Sequence, residues 1–355
     1  MTTPLEIRIR AMIEKDGPMP VDMFMALCLT DPEDGYYRSI DPLGAAGDFT
    51  TAPEISQMFG ELVGLWLYDE AIKQGVAGDA ALVELGPGRG TLMKDALRCY
   101  AGIAPEYCWD LHLVEVNPAL IAAQRERLSD CSNARPHWHE QISDLPEKPL
   151  LIIANEFFDA LPVRQFKSNS GKWYECMLDL ADDALTPVTM SAPAETDLPP
   201  PSADGQIAEF CPQLEAIITS LAGHINRHGG AMLIIDYGKN NALGDSLQAV
   251  QAHRPVEIMH EPGKADLSAW VDFGAIARHA AQAGLAAFGP EEQGSFLKAI
   301  GLYHRAEQLA TGATAETRRE IAAAVDRLSS PAQMGTAFKV MALRPQDAPL
   351  PVAGM

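Results

Sequence analysis

The chain has 355 residues, of which 47% are hydrophobic and 21% are charged, a balance typical of a globular protein with a sizeable core. Its 27 basic and 48 acidic residues give a formal net charge of −21, which opposes binding to a phosphate backbone. Nucleic acid is therefore excluded as the expected partner. An acidic surface would attract a basic protein segment, although solubility alone also accounts for such a charge.

The sequence carries no recognisable export or membrane signal. The six cysteines are scattered without a C-x-x-C pair, as in proteins of a reducing compartment. The first 15 residues lack the apolar core of a signal peptide, and no run of about 18 apolar residues occurs. We therefore expect a cytoplasmic protein with no membrane insertion.

The first part of the chain, residues 1–75, is predicted to be mainly helical. Two stretches of helical spacing precede a glycine-rich loop at 44–50, which is either a flexible segment that closes over a ligand or a plain connector. The phrase from Thr51 to Glu54 fits an N-capping box. It predicts a long amphipathic helix that reaches about Lys73.

From residue 80 onward, segments typical of strands alternate with segments typical of helices. The expected strands lie near residues 81–85, 111–115, 134–139, 150–154 and 231–236, with a closing strand near 336–343. This order predicts an α/β fold with a parallel sheet covered on both faces. Two insertions interrupt it, at about 163–205 and 237–270, and the first contains a hairpin whose turn lies at 168–171.

The loop after the first of these strands, ELGPGRG, is the most informative segment. Its glycines, Gly86, Gly88 and Gly90, permit a sharp turn and a close approach of a ligand, and the helix that follows would direct free N–H groups at the same place. A dinucleotide fingerprint requires glycine where Thr91 stands. The spacing instead resembles motif I of class I S-adenosylmethionine (SAM) methyltransferases, with an ordinary glycine-rich turn as the alternative.

Two acids accompany the loop. Glu84 opens it, and Glu115 ends the next strand, 25 residues after Gly90. Nucleoside-binding α/β domains place an acid roughly 20 residues after the loop, where its carboxylate accepts the ribose hydroxyls. We therefore predict that Glu84, the three glycines and Glu115 bind the cofactor. For Glu115 alone, a solvated surface charge is the alternative.

The strand at 150–154 runs directly into a polar and aromatic cluster. Asn155 stands where many amino-group methyltransferases carry an Asn/Asp-Pro-Pro-aromatic motif that holds a nitrogen nucleophile, although the two prolines are replaced here. Carboxylates orient the N–H groups of an amine or a guanidinium and offset its charge. Asn155, Glu156 and Asp159 are therefore the predicted catalytic residues, and a turn or cap is the alternative role for Asp159.

Two pairs of histidines have spacings that a metal ion could use. His137 and His139 alternate as on a strand, and His224 and His228 lie four residues apart on a predicted helix. Neither pair has a nearby third ligand with zinc-like spacing in the sequence. No metal site is therefore predicted.

Several phrases together resemble the MidA family of SAM-dependent methyltransferases, over nearly the whole chain. They are GDFTTAPEISQMFGE (47–61), ELGPGRG (84–90), NEFFDALPV (155–163), DYG (236–238), DLSAWVDF (266–273) and QGSFL (293–297). The resemblance implies the Rossmann-like α/β sheet of class I SAM methyltransferases, with SAM as the cofactor. Residues 1–75 would then be a helical region that caps the cofactor site, and residues 76–355 would form the core with inserted hairpin and helical segments.

The same resemblance implies the activity of a protein arginine N-methyltransferase. Mitochondrial members of this family assist the assembly of respiratory complex I by methylating an arginine of a quinone-side subunit, so the corresponding subunit is the expected partner. Two alternatives would use the same cofactor loop. One is a methyltransferase for a small molecule, and the other is a SAM-binding assembly factor without catalysis.

Overall fold

A computed structural model describes residues 2–38, 51–192, 198–241 and 243–355. Its helices, numbered along the chain, are α1 (Pro4–Asp16), α2 (Val21–Thr30), α3 (Ala52–Ile55), α4 (Gln57–Lys73), α5 (Thr91–Ile103), α6 (Pro118–Leu128), α7 (Leu214–His228), α8 (Phe273–Gln282), α9 (Gln293–Ala299), α10 (Leu302–Ala310), α11 (Ala315–Ser329) and α12 (Met334–Ala337). The loop predicted at 44–50 lies outside the described residues. Within those residues, no helix is both long enough and apolar enough to cross a membrane.

Every strand that the sequence predicts is present, and the structure adds others that it does not predict. They are β1 (Met19–Pro20), β2 (Ala81–Leu85), β3 (Trp109–Val114), β4 (Ala134–His139), β5 (Leu150–Asn155), β6 (Arg164–Asn169), β7 (Lys172–Ala181), β8 (Ala184–Ser191), β9 (Ile207–Phe210), β10 (Gly230–Lys239), β11 (Gln248–Gln251), β12 (Arg254–Val256), β13 (Asp266–Ser268), β14 (Val271–Asp272), β15 (Leu285–Glu292) and β16 (Phe338–Pro345).

The chain divides into two compact units. The insertion unit comprises Met1–Phe49, Asp159–Leu214 and Asn241–Asp272, and the core unit comprises Thr50–Phe158, Glu215–Asn240 and Phe273–Met355. The first boundary thus falls before Thr50 and not at the predicted residue 75, because α4 packs along α5 within the core unit. The predicted capping of the cofactor site by residues 1–75 stays a prediction.

The core unit is built on a mixed sheet with the strand order β15-β16-β10-β5-β2-β3-β4. The strands from β10 to β4 are parallel, whereas β16 runs antiparallel to both of its neighbours. From β2 the chain moves to β3 and β4 on one side, and then returns to β5 on the other side of β2. The strand order therefore reverses at β2, and an α/β sheet binds its ligands at the carboxyl ends of the strands beside such a reversal.

Burial explains why these segments are strands. Every residue of β2 and of β5 is buried, as expected for parallel strands whose two faces are both covered. One core cluster includes Phe59 and Trp66 of α4, Tyr100 of α5 and Trp109 of β3. Each large apolar side chain buried in this way contributes about 1.5–3 kcal/mol to folding.

The long helix predicted from Thr51 to about Lys73 is interrupted at Ser56. Helix α3 ends at Ile55, and Ser56 adopts an extended conformation with φ −164° and ψ 140°. Its hydroxyl accepts the N–H of Met58 at 3.2 Å and caps α4. A serine side chain can replace a backbone carbonyl as the acceptor of a helix N–H group and so start a new helix. The single predicted helix is therefore two helices, α3 and α4.

Helices α4 and α5 approach closely because glycines face the contact. A Cβ on Gly60 would lie 2.8 Å from Cβ of Asp95, and a Cβ on Gly64 would lie 2.7 Å from Cβ of Ala96 and 3.0 Å from its Cα. The hydroxyl of Tyr100 donates to the carbonyl of Gly64 at 2.7 Å. The position of α5, which carries the glycine loop at its start, thus depends on the absence of side chains on α4.

The insertion unit contains two smaller sheets. One has the order β1-β7-β6-β9, with β8 also paired to β7, and the other has the order β12-β11-β13. The predicted hairpin is confirmed, since β6 pairs antiparallel with β7 up to Asn169 and Lys172. Ser170 and Gly171 form its turn with φ of 50° and 71°. The second insertion contributes the strands β11 to β13.

We predict that Gly64→Ala destabilises the protein by about 1–3 kcal/mol, because the added methyl group collides with the backbone of α5. The matched control is Gly102→Ala in α5, where an added Cβ meets nothing within 4 Å. That change should be neutral or stabilise by up to ~1 kcal/mol, since alanine favours a helix. Urea unfolding midpoints of the two variants test this, and equal midpoints would contradict the close packing of α4 on α5.

Candidate functional site

The loop that leaves β2 is shaped by three glycines in the left-handed region. Gly86, Gly88 and Gly90 have φ of 63°, 52° and 76°, values that other residues rarely adopt. The N–H of Gly86 donates to the carbonyl of Val114 at 3.1 Å, and that of Gly90 donates to the carbonyl of Pro87 at 2.7 Å. Gly90 is the N-cap of α5 and offers no side-chain cap, so the positive end of this helix faces the loop.

Two side chains hold this loop in place. A Cβ on Gly86 would lie 3.1 Å from Cδ2 of Phe157, which leaves little room for any side chain there. Nε2 of Gln124 donates to the carbonyl of Gly88 at 2.7 Å, and Oε1 of Gln124 accepts the indole N–H of Trp138 at 2.8 Å. The loop is therefore fixed from one side by an aromatic ring and from the other by a buried amide.

Glu84 is a buried carboxyl group in an apolar strand. The residue is 3% exposed, and its Oε2 has no hydrogen-bond partner among the described residues. Burial, and to a lesser extent the charge of Glu115, raises the pKa of Glu84 well above its usual range. A buried polar atom without a partner is costly, so its presence favours a ligand that supplies one.

Glu115 directly follows β3 and is oriented by the backbone of the next two residues. It is 9% exposed, and its Oε1 accepts the N–H groups of Val116 and Asn117, each at 2.8 Å. Its Oε2 lies 3.4 Å from Nε2 of Gln124, the same amide that contacts the glycine loop. This burial argues against a solvated surface charge and links the acid to the loop.

Asn155 is the last residue of β5, the strand beside β2, and Glu156 follows it. Asn155 is 8% exposed, and its Oδ1 has no partner within the described part of the chain. Its Nδ2 donates to Oε1 of Glu156 at 3.2 Å, and the N–H of Ala52 donates to the same oxygen at 3.0 Å. Burial raises the pKa of Glu156. Glu156 also has φ 51°, a strained conformation of the kind that clusters at functional sites.

The carboxylate of Asp236, in the second half of β10, holds the turn after Glu156. Asp236 is fully buried. Its Oδ2 accepts the N–H groups of Phe157 at 3.2 Å and Phe158 at 2.9 Å, and its Oδ1 accepts the N–H of Tyr237 at 2.8 Å. The two phenylalanine rings meet edge to face at 5.2 Å. The ring that covers Gly86 is thus positioned by Asp236.

Helix α3 contacts both halves of the site, the turn after β5 and the glycine loop with the start of α5. Ala52 donates its N–H to Glu156, and Glu54 accepts the hydroxyl of Thr91, the first residue of α5. Thr51 makes no side-chain cap, so the predicted capping box does not form. The carboxylate of Glu54 binds Thr91 of α5 and does not cap the N-terminus of α3.

Asp159 belongs to the insertion unit. Its carbonyl accepts the N–H of Ala269 at 3.0 Å. The hydroxyl of Tyr37 donates to Oδ1 of Asp266 at 3.1 Å. Burial first, and then the charges of Asp266 and Asp159, raise the pKa of Tyr37. Asp159 therefore lies in an acidic environment within its own unit, and its participation with Asn155 and Glu156 stays a prediction.

Sequence reasoning did not identify Gln124 or Asp236 as part of this site. Asp236 carries a usable signal, since it follows the apolar run of β10 as Asn155 follows that of β5. Gln124 lies in the middle of α6 and has no local signal, because its role depends on contacts to Gly88, Glu115 and Trp138. The described residues fit a bound cofactor on two observations: the unpartnered Oε2 of Glu84 and the tight space beside Gly86.

Known proteins resemble this chain in both sequence and structure. Residues 62–291 match the family model for S-adenosyl-L-methionine-dependent methyltransferases. A Drosophila melanogaster protein named protein arginine methyltransferase NDUFAF7 homolog, mitochondrial, is 37% identical over 95% of this chain and 84% of its own length. The human protein named protein arginine methyltransferase NDUFAF7, mitochondrial, is 34% identical over 97% of this chain and 84% of its own length.

Two crystal structures of Burkholderia thailandensis proteins have the same fold. One, bound to S-adenosyl-homocysteine, superposes with a TM-score of 0.84 at 26% identity, covering 96% of this chain and 91% of that chain. The other, a native structure, has a TM-score of 0.84 at 25% identity, covering 99% of this chain and 94% of that chain. These matches confirm the predicted class of α/β fold.

The relatives overturn the predicted cytoplasmic location. The Drosophila melanogaster, Danio rerio, mouse and human proteins are all named as mitochondrial. The prediction was wrong because unpaired cysteines indicate only a reducing compartment, and the lack of a long apolar run bears only on membrane-spanning helices. These features do not distinguish the cytoplasm from the interior of a mitochondrion.

The family model covers more than half of the chain, and the relatives align over nearly all of it at 34–37% identity. Both the predicted resemblance and the predicted cofactor are thereby confirmed. The chain belongs to the MidA-type family of S-adenosyl-L-methionine-dependent methyltransferases.

Proposed function

We propose that this protein transfers a methyl group from SAM to an arginine side chain of another protein. The acceptor that fits best is a quinone-side subunit of respiratory complex I, whose assembly the methylation would assist. Relatives that align over nearly the whole chain are named protein arginine methyltransferases, which supports an arginine acceptor. The acidic balance of the chain is favourable for a basic protein segment.

The observation that carries the proposal is the pair of polar groups at the end of β5, Asn155 and Glu156. Oδ1 of Asn155 is buried without a partner among the described residues, and the carboxylate of Glu156 lies beside it. A guanidinium presents several N–H donors in a fixed plane and could satisfy both oxygens at once. In this proposal, Asn155 and Glu156 hold the arginine, and Asp159 contributes a second carboxylate.

The cofactor would lie at the carboxyl ends of β2 and β3. In the proposal, Glu84, Gly86, Gly88, Gly90 and Glu115 bind it, with Glu115 accepting the ribose hydroxyls. When bound, SAM supplies an electrophilic methyl carbon on a sulfonium. The residues of the chain then have three tasks. They align the nucleophilic nitrogen, exclude water, and offset the charge of the guanidinium or accept its proton.

Phe157 and Glu156 divide the last two tasks between them. Phe157 packs on Gly86 and shields the loop from water. Glu156 orients the guanidinium, and its raised pKa brings it closer to the range in which it can take up a proton. Asp236 acts as a positioning residue, since it fixes the backbone of Phe157 and Phe158 without needing to contact either ligand.

We predict that Gly86→Val weakens the binding of S-adenosyl-homocysteine by about 100-fold, because the side chain would collide with Phe157. The matched control is Gly171→Val, which has a similar φ of 71° but open space around its Cα. Isothermal titration calorimetry on both variants measures the difference. Unchanged affinity in Gly86→Val would contradict the placement of the cofactor at this loop.

We predict that Asn155→Ala and Glu156→Gln each lower kcat for methyl transfer by roughly 100-fold, while S-adenosyl-homocysteine binds as before. Asn169→Ala, on the exposed hairpin, is the control and should behave as the wild type. Mass spectrometry of the acceptor subunit gives the rate, and calorimetry gives the binding. Variants that methylate normally would rule out this acceptor site, and full support of complex I assembly without methylation would favour the non-catalytic alternative.

We predict that methyl transfer declines on acidification at a higher pH than the titration of an exposed glutamate would give. The raised pKa of Glu156 means that its carboxylate, the form needed to hold a guanidinium, is protonated at a higher pH than that of an exposed glutamate. The activity should therefore be complete above the folded-state pKa and lost below it. A pH profile of kcat tests this, and the residual activity of Glu156→Gln should lack that acidic limb.

A further inference from the structure

A cluster of histidines and one carboxylate lies on β3 and β4 of the core unit, upstream of Glu115 along β3. Asp110 and His112 alternate on β3, and His137 and His139 alternate on β4. The parallel register pairs His112 with His137, so the side chains of the two strands share one face. Nothing in the proposed transfer of a methyl group uses these residues.

Three side chains of this cluster place possible ligand atoms at separations that suit a metal ion. Nε2 of His137 lies 3.1 Å from Oδ1 of Asp110, and Nε2 of His112 lies 3.7 Å from Oδ2 of Asp110. One ligand atom from each of the three residues falls within 4.8 Å of the other two. Ligands at about 2.0–2.1 Å from a tetrahedral zinc ion are about 3.3 Å apart, so small side-chain rotations would complete this geometry.

His112 provides a second and independent observation. It is 5% exposed, and its Nε2 has no hydrogen-bond partner among the described residues. Its other ring nitrogen, Nδ1, lies 2.7 Å from Nε2 of His139. If Nδ1–H donates to His139, then Nε2 presents a lone pair towards Asp110. Metal-binding histidines are oriented in this manner by a partner on the opposite nitrogen.

We propose that Asp110, His112 and His137 form a binding site for a divalent transition-metal ion, with Zn²⁺ as the best match. Two imidazoles and one carboxylate are a ligand set that zinc accepts, and the half-exposed His137 leaves a path for entry and a position for water. His139 acts as a positioning residue for His112. The sequence pattern did not reveal this site, because the third ligand lies on the neighbouring strand.

Two cations already neutralise the carboxylate and would compete with the metal. Nζ of Lys148 lies 3.2 Å from Oδ2 of Asp110, and Nε of Arg135 lies 4.0 Å from Oδ1. The ion must therefore share the carboxylate of Asp110 with the ammonium group of Lys148, or displace that group. Removing that group should tighten metal binding, a result that a purely structural ion pair would not produce.

A bound ion would tie the edge strand β4 to β3. Glu115 follows β3 directly, and its N–H donates to the carbonyl of His139 at 2.9 Å. The metal would therefore secure the strands beside a proposed cofactor ligand. The site itself stands on its own geometry and does not depend on methyl transfer.

The test is calorimetric titration of Zn²⁺ into the full chain after chelator treatment, with Co²⁺ absorption as a second readout of coordination. We expect one ion per chain, affinity at least about tenfold weaker in His137→Ala, and tighter binding in Lys148→Met. His228→Ala, from the other histidine pair, should bind as the wild type. Absence of binding, no change in His137→Ala, no tightening in Lys148→Met, or loss in His228→Ala would each overturn the proposal. Circular dichroism checks that the variants are folded.

Discussion

The carboxylate of Asp236 is fully buried in the second half of β10 and accepts hydrogen bonds from three backbone N–H groups. Two of these belong to Phe157 and Phe158, so the turn that follows β5 is fixed to the neighbouring strand. The turn places Phe157 against Gly86 and holds Glu156 in its left-handed conformation. A charged acceptor of several N–H groups is stronger than a neutral one, and its burial makes the arrangement rigid. The geometry of both halves of the candidate site therefore depends on this contact.

The parallel register of the central strands explains why distant segments of the sequence meet here. Strands β10, β5, β2 and β3 are neighbours. Asn155 ends β5, the glycine loop and Glu115 follow β2 and β3, and Asp236 of β10 comes directly after Ile235, which pairs with Asn155. Helix α3 then joins the two halves, since Ala52 contacts Glu156 and Glu54 contacts Thr91. The phrases ELGPGRG and DYG and the first residues of NEFFDALPV, which carry part of the family resemblance, thus converge on one end of the sheet.

The sequence predicted the central strands β2, β5 and β10 well, because buried parallel strands are apolar runs, whereas it did not predict the edge strand β15. Glu84 and Glu115 were predicted as cofactor ligands from their spacing to the glycines. The sequence did not reveal that both are buried, or that the amide of Gln124 connects Glu115 to the loop. The break at Ser56 was missed because a serine that caps a new helix and a serine within a continuous helix differ only slightly in free energy, so the sequence does not distinguish them. The grouping of Asp110, His112 and His137 was missed for a different reason: it arises from strand pairing and not from spacing along one segment.

The central claim is that the chain is a methyltransferase whose acceptor is an arginine of a protein. The most direct measurement is to supply the purified protein and labelled SAM to an extract of cells that lack this protein, and to locate the label by mass spectrometry. The account predicts methylarginine in a quinone-side subunit of respiratory complex I, with little label after substitution of Asn155 or Glu156. Label confined to small molecules, or no transfer to any protein, would contradict it.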